Sequence, residues 1–409
     1  MTGVPTEPVA HLYVHVPFCA HKCEYCAFYS EVANAELQQR YVGAVLRELE
    51  MAAPDLQPRT IFFGGGTPSL LSLPHWKQIL AGMERLNLRG AAEWTIECNP
   101  ATVSADKARL WRDHGVNRLS LGVQSLHDDL LDRLGRVHSR ATVFRTFDLL
   151  RRAGFDNLNL DLMFALPGQT LALWRQTLDE AIALGSEHLS TYEVTYEDDT
   201  PLFAQLQAGA AGVDEDLACE MYEVLRDRCA NAGFRQYEVS NFARDGAGTE
   251  AEAPPAAGPG QPVPGGGTCQ GGELPTFACQ HNVNYWRGGS YHGLGPSASG
   301  YVRGVRSRNW PNTVLYCEHL ERGRRAIEST EELSPLRRAG EIAAFGLRMN
   351  AGWRFAGFER VTGFDLRREW AAEMSQLVER GWGDLEADRF RLTPRGLRFA
   401  DAAAELFLR

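Results

Sequence analysis

Between His11 and about Val194 short β-rich runs alternate with helix-like stretches, and this alternation limits the fold more than any other feature of the chain. The runs are LYVHV (12–16), TIFF (60–63), WTIEC (94–98), NRLSLGV (117–123), NLNLDLMF (157–164) and HLSTYEV (188–194). Amphipathic stretches separate them at 36–51, 74–86, 105–114, 141–153 and 171–184. Six strands with five helices between them predict an α/β protein with a parallel sheet. Several runs are almost wholly apolar or β-branched, which suits strands with helices outside and a second layer inside. Cys19, Gly64 to Thr67, Glu97, Gln124 and Asp161 all fall at or just past strand ends. That is where parallel barrels build their sites. The expectation is a partial (β/α)6 TIM-like barrel over 11–195, behind a short N-terminal tail at 1–10.

The alternation stops after 195, where an α+β extension (196–332) begins with a helix over 214–232 and one strand, FRQYEVSNF, over 234–242. The segment 245–279 holds nine Gly and six Pro, too little apolar material to offset the entropy of ordering it. It reads as a flexible surface insertion. From 333 to 409 come helices at 335–349 and 365–380, a hairpin in GWGDLEADRFRLT and a final helix from Pro394, the outline of a C-terminal winged-helix-like domain. Such modules often bind DNA, but here Arg is balanced by Asp and Glu, and the whole chain carries a net charge of -10. Phosphate binding needs a basic face, so nucleic acid is not expected as a partner, and packing or partner docking is. No run of about 18 apolar residues and no secretion leader is visible, which points to a cytoplasmic address.

Nine cysteines, three of them crowded into CAHKCEYC at Cys19, Cys23 and Cys26, do not form a disulfide framework. Thiolates are soft ligands that suit iron-sulfur clusters or zinc. Three of them in a C-x3-C-x2-C spacing can hold three corners of a cubane cluster and leave its fourth iron open. The alternative is a zinc site completed by His15 or His21, although structural zinc more often shows two Cys pairs or a Cys2His2 pattern.

YVHVPFCAHKCEYCAF, FFGGGTPSLL, IECNP, SLGVQS, NLDLMFALPGQT and QYEVSN, in this order, resemble the coproporphyrinogen-III-oxidase-like branch of the radical SAM superfamily. The resemblance spans roughly 11–409 apart from the Gly/Pro insertion. It implies a [4Fe-4S] cluster on Cys19, Cys23 and Cys26, with S-adenosyl-L-methionine chelating the open iron. It assigns Tyr13, Gly65, Gly66, Thr67, Glu97, Gln124, Arg136 and Asp161 to contacts with that nucleotide. Tyr25, between the second and third cysteines, has an aromatic face suited to the adenine or to shielding the cluster.

Two functions divide this branch. Oxygen-independent coproporphyrinogen III oxidases carry a fourth Cys two positions after the third ligand and a longer N-terminal arm, whereas Phe28 stands at that position here and 18 residues precede Cys19. HemW-type heme chaperones lack both features and carry H-N-x-x-Y-W, present as HNVNYW at His281 to Trp286. His281 can ligate heme iron through a neutral imidazole nitrogen, or it can lock a loop against the barrel. The resemblance favours heme chaperoning, with heme as ligand, heme-accepting apoproteins as partners and an electron donor such as flavodoxin or ferredoxin. It leaves open radical turnover, a homodimer and peripheral membrane contact through partners.

Overall fold

The computed structural model describes residues 7–32, 34–209, 212–246 and 273–409. Nine strands form its main sheet: β1 (Val9–Val16), β2 (Leu56–Gly65), β3 (Glu93–Cys98), β4 (Arg118–Gln124), β5 (Leu158–Phe164), β6 (His188–Glu193), β7 (Phe234–Glu238), β8 (Asn241–Arg244) and β9 (His292–Leu294). The spatial order is β9-β1-β2-β3-β4-β5-β6-β8-β7. The first six strands run parallel, as the alternation predicts. β9 adds a parallel strand beside β1, and β8 pairs antiparallel with β6. The edge strands β9 and β7 are not paired with each other, so the sheet is open, as a partial barrel requires.

The barrel helices are α1 (Ala35–Ala52), α2 (Leu73–Arg85), α3 (Ala105–Asp113), α4 (Asp128–Arg133), α5 (Arg140–Arg152) and α6 (Leu171–Ala183). Asn34, Ser72, Ser104, Ser139 and Thr170 cap five of them, each side chain accepting a hydrogen bond from a first-turn amide. Those caps explain why the expected starts lie within one residue of the observed ones. Leu12, Val14 and Val16 of β1 are wholly buried, whereas His11, Tyr13 and His15 alternate with them on the opposite face, whose rings meet His281, Phe62 and Tyr29. Phe63, Trp76 and Trp111 pack in sequence between sheet and helices, tilted at 5.2 Å and edge-on at 5.5 Å between ring centroids.

The strand expected over 234–242 is instead the hairpin β7–β8. Glu238 closes its turn, accepting hydrogen bonds from the Ser240 amide and the Asn241 side chain. That turn has neither Gly nor Pro, so sequence punctuation gave no sign of it. Of the insertion, 247–272 lie outside the described residues. Its C-terminal part is ordered: Ala278 and Cys279 are buried, and Glu273 pairs with Arg354 and Arg389. The short helix α7 (Gln280–Trp286) follows at once.

Beyond β9, a three-stranded antiparallel sheet (Ser299–Val302, Val305–Asn309, Ile327–Glu332) leads into the C-terminal domain. There the helix expected over 365–380 divides at Trp370 into Leu366–Glu369 and Ala371–Glu379. A further helix, Phe355–Thr362, precedes them, and Trp353–Arg354 adds a third strand to the hairpin. This domain has its own core around Trp353, Phe358, Trp370, Phe390 and Phe407.

Candidate functional site

The cysteine loop leaves the carboxyl end of β1 and is strapped to the glycine loop that follows β2. Gly66 N–H donates to Val16 O and Thr67 N–H to Phe18 O, both at 2.8 Å. A Cβ on Gly66 would lie 2.8 Å from Phe18 O, so no larger residue fits this close approach. Gly65 has φ +103°, and its own Cβ would strike the His15 ring. Thr67 Oγ1 lies 3.6 Å from Cys19 Sγ. Part of what the three glycines do is therefore to hold the cysteine loop in place.

Cys19, Cys23 and Cys26 are free and half-buried. Burial and the neighbouring Cys23 and Cys19 thiols push the Cys26 thiol up. The Arg136 guanidinium reaches Cys23 Sγ at 3.5 Å and donates to Gly122 O at 2.6 Å. Gln124 Nε2 and Arg136 Nη2 both crowd the position that a Cβ on Gly122 would take, and Gln124 is held at φ 63° at the end of β4. A left-handed conformation in a residue with a side chain costs about 1 kcal/mol and gathers at functional sites.

Glu97, next to last in β3, accepts the Gly65 amide at 3.1 Å. Burial and the charge of Asp161 raise its carboxyl to about 8. Asp161 is likewise raised by burial, and neither carboxylate has an ion-pair partner among the described residues. Tyr13 lies beside Glu97, its hydroxyl 3.1 Å from His15 Nδ1, while His15 Nε2 lies 2.9 Å from the carbonyl of Tyr29 in the cysteine loop. Tyr25 packs with Leu130, Leu134, Met163 and Val194, near Arg136 and Asp161. Glu97 and Asp161 feel the field of the buried Arg118 but form no ion pair among the described residues, so they suit a ligand bearing positive charge and hydrogen-bond donors, and S-adenosylmethionine has a sulfonium, an ammonium and ribose hydroxyls. The structure thus gathers Tyr13, Tyr25, Gly65, Gly66, Thr67, Glu97, Gln124, Arg136 and Asp161 around the cysteine loop.

His281 is placed apart from them. It is 1% exposed, with Nδ1 2.7 Å from Thr60 Oγ1 and Nε2 2.7 Å from Tyr285 Oη. Its ring stacks on Phe62. Glu93, at the amino end of β3, accepts the amides of Gln280 and His281. The HNVNYW helix therefore closes the end of the barrel opposite the cysteine loop, and as placed neither ring nitrogen of His281 is open to a metal.

Sequence reasoning missed Tyr192. It keeps 41% of its surface accessible while facing Asp161, Glu97 and Glu238, which marks it as lining a hollow. Period-two alternation along HLSTYE, continued one residue pair further, identifies it.

The radical SAM superfamily model matches residues 13–181, and the HemN C-terminal domain model matches 333–399. The heme chaperone HemW of Bacillus subtilis is 33% identical to the chain, over 90% of the chain and 91% of that protein. The heme chaperone HemW of Escherichia coli is 33% identical over 98% of each. Among solved structures, the Escherichia coli coproporphyrinogen III oxidase HemN, described as a radical SAM enzyme, superposes with a TM-score of 0.78 at 19% identity, covering 98% of the chain and 90% of that structure.

Proposed function

The chain belongs to the radical SAM superfamily and, within it, to the family of the heme chaperone HemW, and from that premise we propose that it binds heme and passes it to apoproteins of respiratory enzymes. The observation that carries this reading is 33% identity, over 90% of the chain or more, to proteins named heme chaperones. Phe28, 70% exposed where the oxidases of this branch carry a further cysteine, agrees with it.

Cys19, Cys23 and Cys26 hold a [4Fe-4S] cluster in this proposal, and Arg136 offsets its negative charge. The cluster, when bound, supplies an electron and an open iron for S-adenosylmethionine. Glu97 and Asp161 offer carboxylates to the nucleotide's cationic and hydroxyl groups, Tyr13 and Gln124 offer polar contacts, and Tyr25 shields the cluster loop. For His281 to ligate heme it must first release Thr60 or Tyr285, so we assign it the locking role and place heme elsewhere on the chain. A cytoplasmic location and an electron donor such as flavodoxin or ferredoxin complete the reading.

The test is one preparation, reconstituted without oxygen, followed for heme uptake by its Soret band, for transfer to a heme-free acceptor, and for coproporphyrinogen III consumption. Heme uptake and transfer without consumption are expected. Conversion of propionates to vinyl groups moves the chain to the oxidase function, and absence of a Soret band removes the chaperone reading.

A further inference from the structure

A hydrogen-bonded column crosses the barrel from Asp161 to the start of α7. Strand register puts Ser120, Asn159 and His188 side by side in one layer, with Gly122, Asp161 and Ser190 in the next. Asn159 Nδ2 donates to Asp161 Oδ1 and to Ser120 Oγ, both at 2.7 Å, and Ser120 Oγ donates to Asp161 Oδ2 at 2.9 Å. The carboxylate accepts only, so the amide nitrogen of Asn159 must face it and the amide oxygen must face β6. There Asn159 Oδ1 accepts from His188 Nδ1 at 2.7 Å and from Ser190 Oγ at 3.1 Å.

This fixes the His188 tautomer with its proton on Nδ1, and burial keeps the ring neutral. His188 Nε2 is then left to accept from the Tyr237 hydroxyl at 2.8 Å, and the Tyr237 oxygen accepts the Cys279 amide at 3.1 Å. Every link donates toward Asp161. Aligned bonds of this kind polarise one another in a low-dielectric interior, and a gap anywhere weakens the rest. Ser120, Asn159, His188, Tyr237 and Cys279 are each 4% exposed or less, so water does not compete for these groups.

We infer that Asn159, His188 and Tyr237 are positioning residues, which hold the Asp161 carboxylate for S-adenosylmethionine and tie that site to the seating of the HNVNYW helix. The inference rests on the reading that the nucleotide binds beside Asp161. None of the three is assigned a contact with it. A ligand that draws on Asp161 strengthens the column, and the column in turn steadies the backbone at Cys279, where the chain re-enters the fold after the insertion.

The decisive variant is Tyr237→Phe, which removes one hydroxyl two side chains away from Asp161. S-adenosylmethionine affinity is measured by equilibrium dialysis on protein reconstituted without oxygen, alongside iron content, melting temperature and hydrogen exchange of the 279–283 amides. We expect affinity about three- to tenfold weaker with iron content unchanged. In the parent, nucleotide slows exchange at 279–283, and in Asn159→Leu it does not. Tyr316→Phe is the control, since it deletes an equally buried hydroxyl bonded to Glu48 outside the column, and it should lower the melting temperature while leaving affinity alone. If Tyr237→Phe loses stability as the control does but binds nucleotide like the parent, the positioning role is wrong. If the parent itself binds no nucleotide, the reading beneath it fails as well.

Discussion

Glu97 shows how one residue ties the chemistry of the site to pH. Its carboxyl is raised to about 8, first by burial and then by Asp161, so in the ligand-free chain it holds a proton at neutral pH that an unfolded carboxyl would release. The folded state binds more protons than the unfolded one between the ordinary carboxyl range and about 8, and across that window rising pH costs stability. A cationic ligand needs the ionised form. S-adenosylmethionine affinity should therefore rise by up to about tenfold per unit from pH 6 toward 8 and then level off, and Glu97→Gln should flatten that slope. Calorimetric titrations at three pH values check it, and a parent slope near zero refutes it. At His281, truncation to Ala strands Thr60 and Tyr285 and opens a cavity, which should cost about 2 to 4 kcal/mol in denaturant unfolding while the Soret band persists. Loss of the band at unchanged stability would make His281 the ligand after all. Gly65 to Thr67, Glu97 and Gln124 were legible in the sequence because polar groups and glycines near strand ends break an apolar run, whereas Asp161, expected at a strand end, stands in the middle of β5. Asn159 and His188 were not legible, because a polar residue inside a strand looks the same whether it faces solvent or a buried partner.

Among elements, five of the barrel helices were legible, while the split of the 365–380 helix at Trp370 and the β7–β8 hairpin were not. Ser, Thr and Asn stand at the head of five barrel helices, and such caps carry a local reason for starting a helix there. The β7–β8 turn depends on a buried carboxylate, Glu238, whose partners become visible only once the strands are in place. The same distinction governs the two loops that meet at the site. Gly66→Ala places a methyl against Phe18 O and Val16 O, the two carbonyls that strap the cysteine loop, so iron incorporated per chain should fall by half or more while far-UV circular dichroism stays unchanged. Full iron loading in that variant would show the strap to be dispensable. The insertion calls for the opposite expectation. Its two ends meet where Thr276 N–H donates to Asp245 Oδ1 and Phe277 N–H to Arg244 O. Replacing 247–272 by a short Gly-Ser linker should keep the fold and add about 1 kcal/mol at most, since loop closure depends only weakly on length. Extending the cut through 273–279 should instead unfold the chain, because Glu273, Ala278 and Cys279 are built into it. Thermal melts of the two deletions separate these outcomes.

At the scale of the whole molecule, the partial barrel and C-terminal domain were legible in outline, while the division of the 234–242 strand into a hairpin and the added strand β9 were not. β9 has three residues and owes its place to tertiary anchoring: the buried Glu48 of α1 accepts Gly295 N–H, Asn309 Nδ2 and the Tyr316 hydroxyl. Architecture of this kind serves more than one task, so the fold alone does not choose among them. The charge distribution narrows the choice. A winged-helix-like domain with Arg354, Arg389, Arg391 and Arg398 on and around its wing has the composition of a DNA-binding surface, yet each of the four is engaged by a carboxylate. Arg354 meets Glu273 and Asp388, Arg389 meets Glu273, Arg391 meets Asp384 and Glu386, and Arg398 meets Glu223. Phosphate contact would have to displace those carboxylates against a chain of net charge -10. Counterion release, the main source of nonspecific affinity for DNA, then has few free cations to act through. Fluorescence anisotropy of a labelled duplex at about 0.1 M salt should show no binding at micromolar protein, and neutralising Glu273, Asp384 and Glu386 together should bring on a salt-sensitive association. Binding by the unmodified chain at that salt would return the C-terminal domain to nucleic-acid recognition.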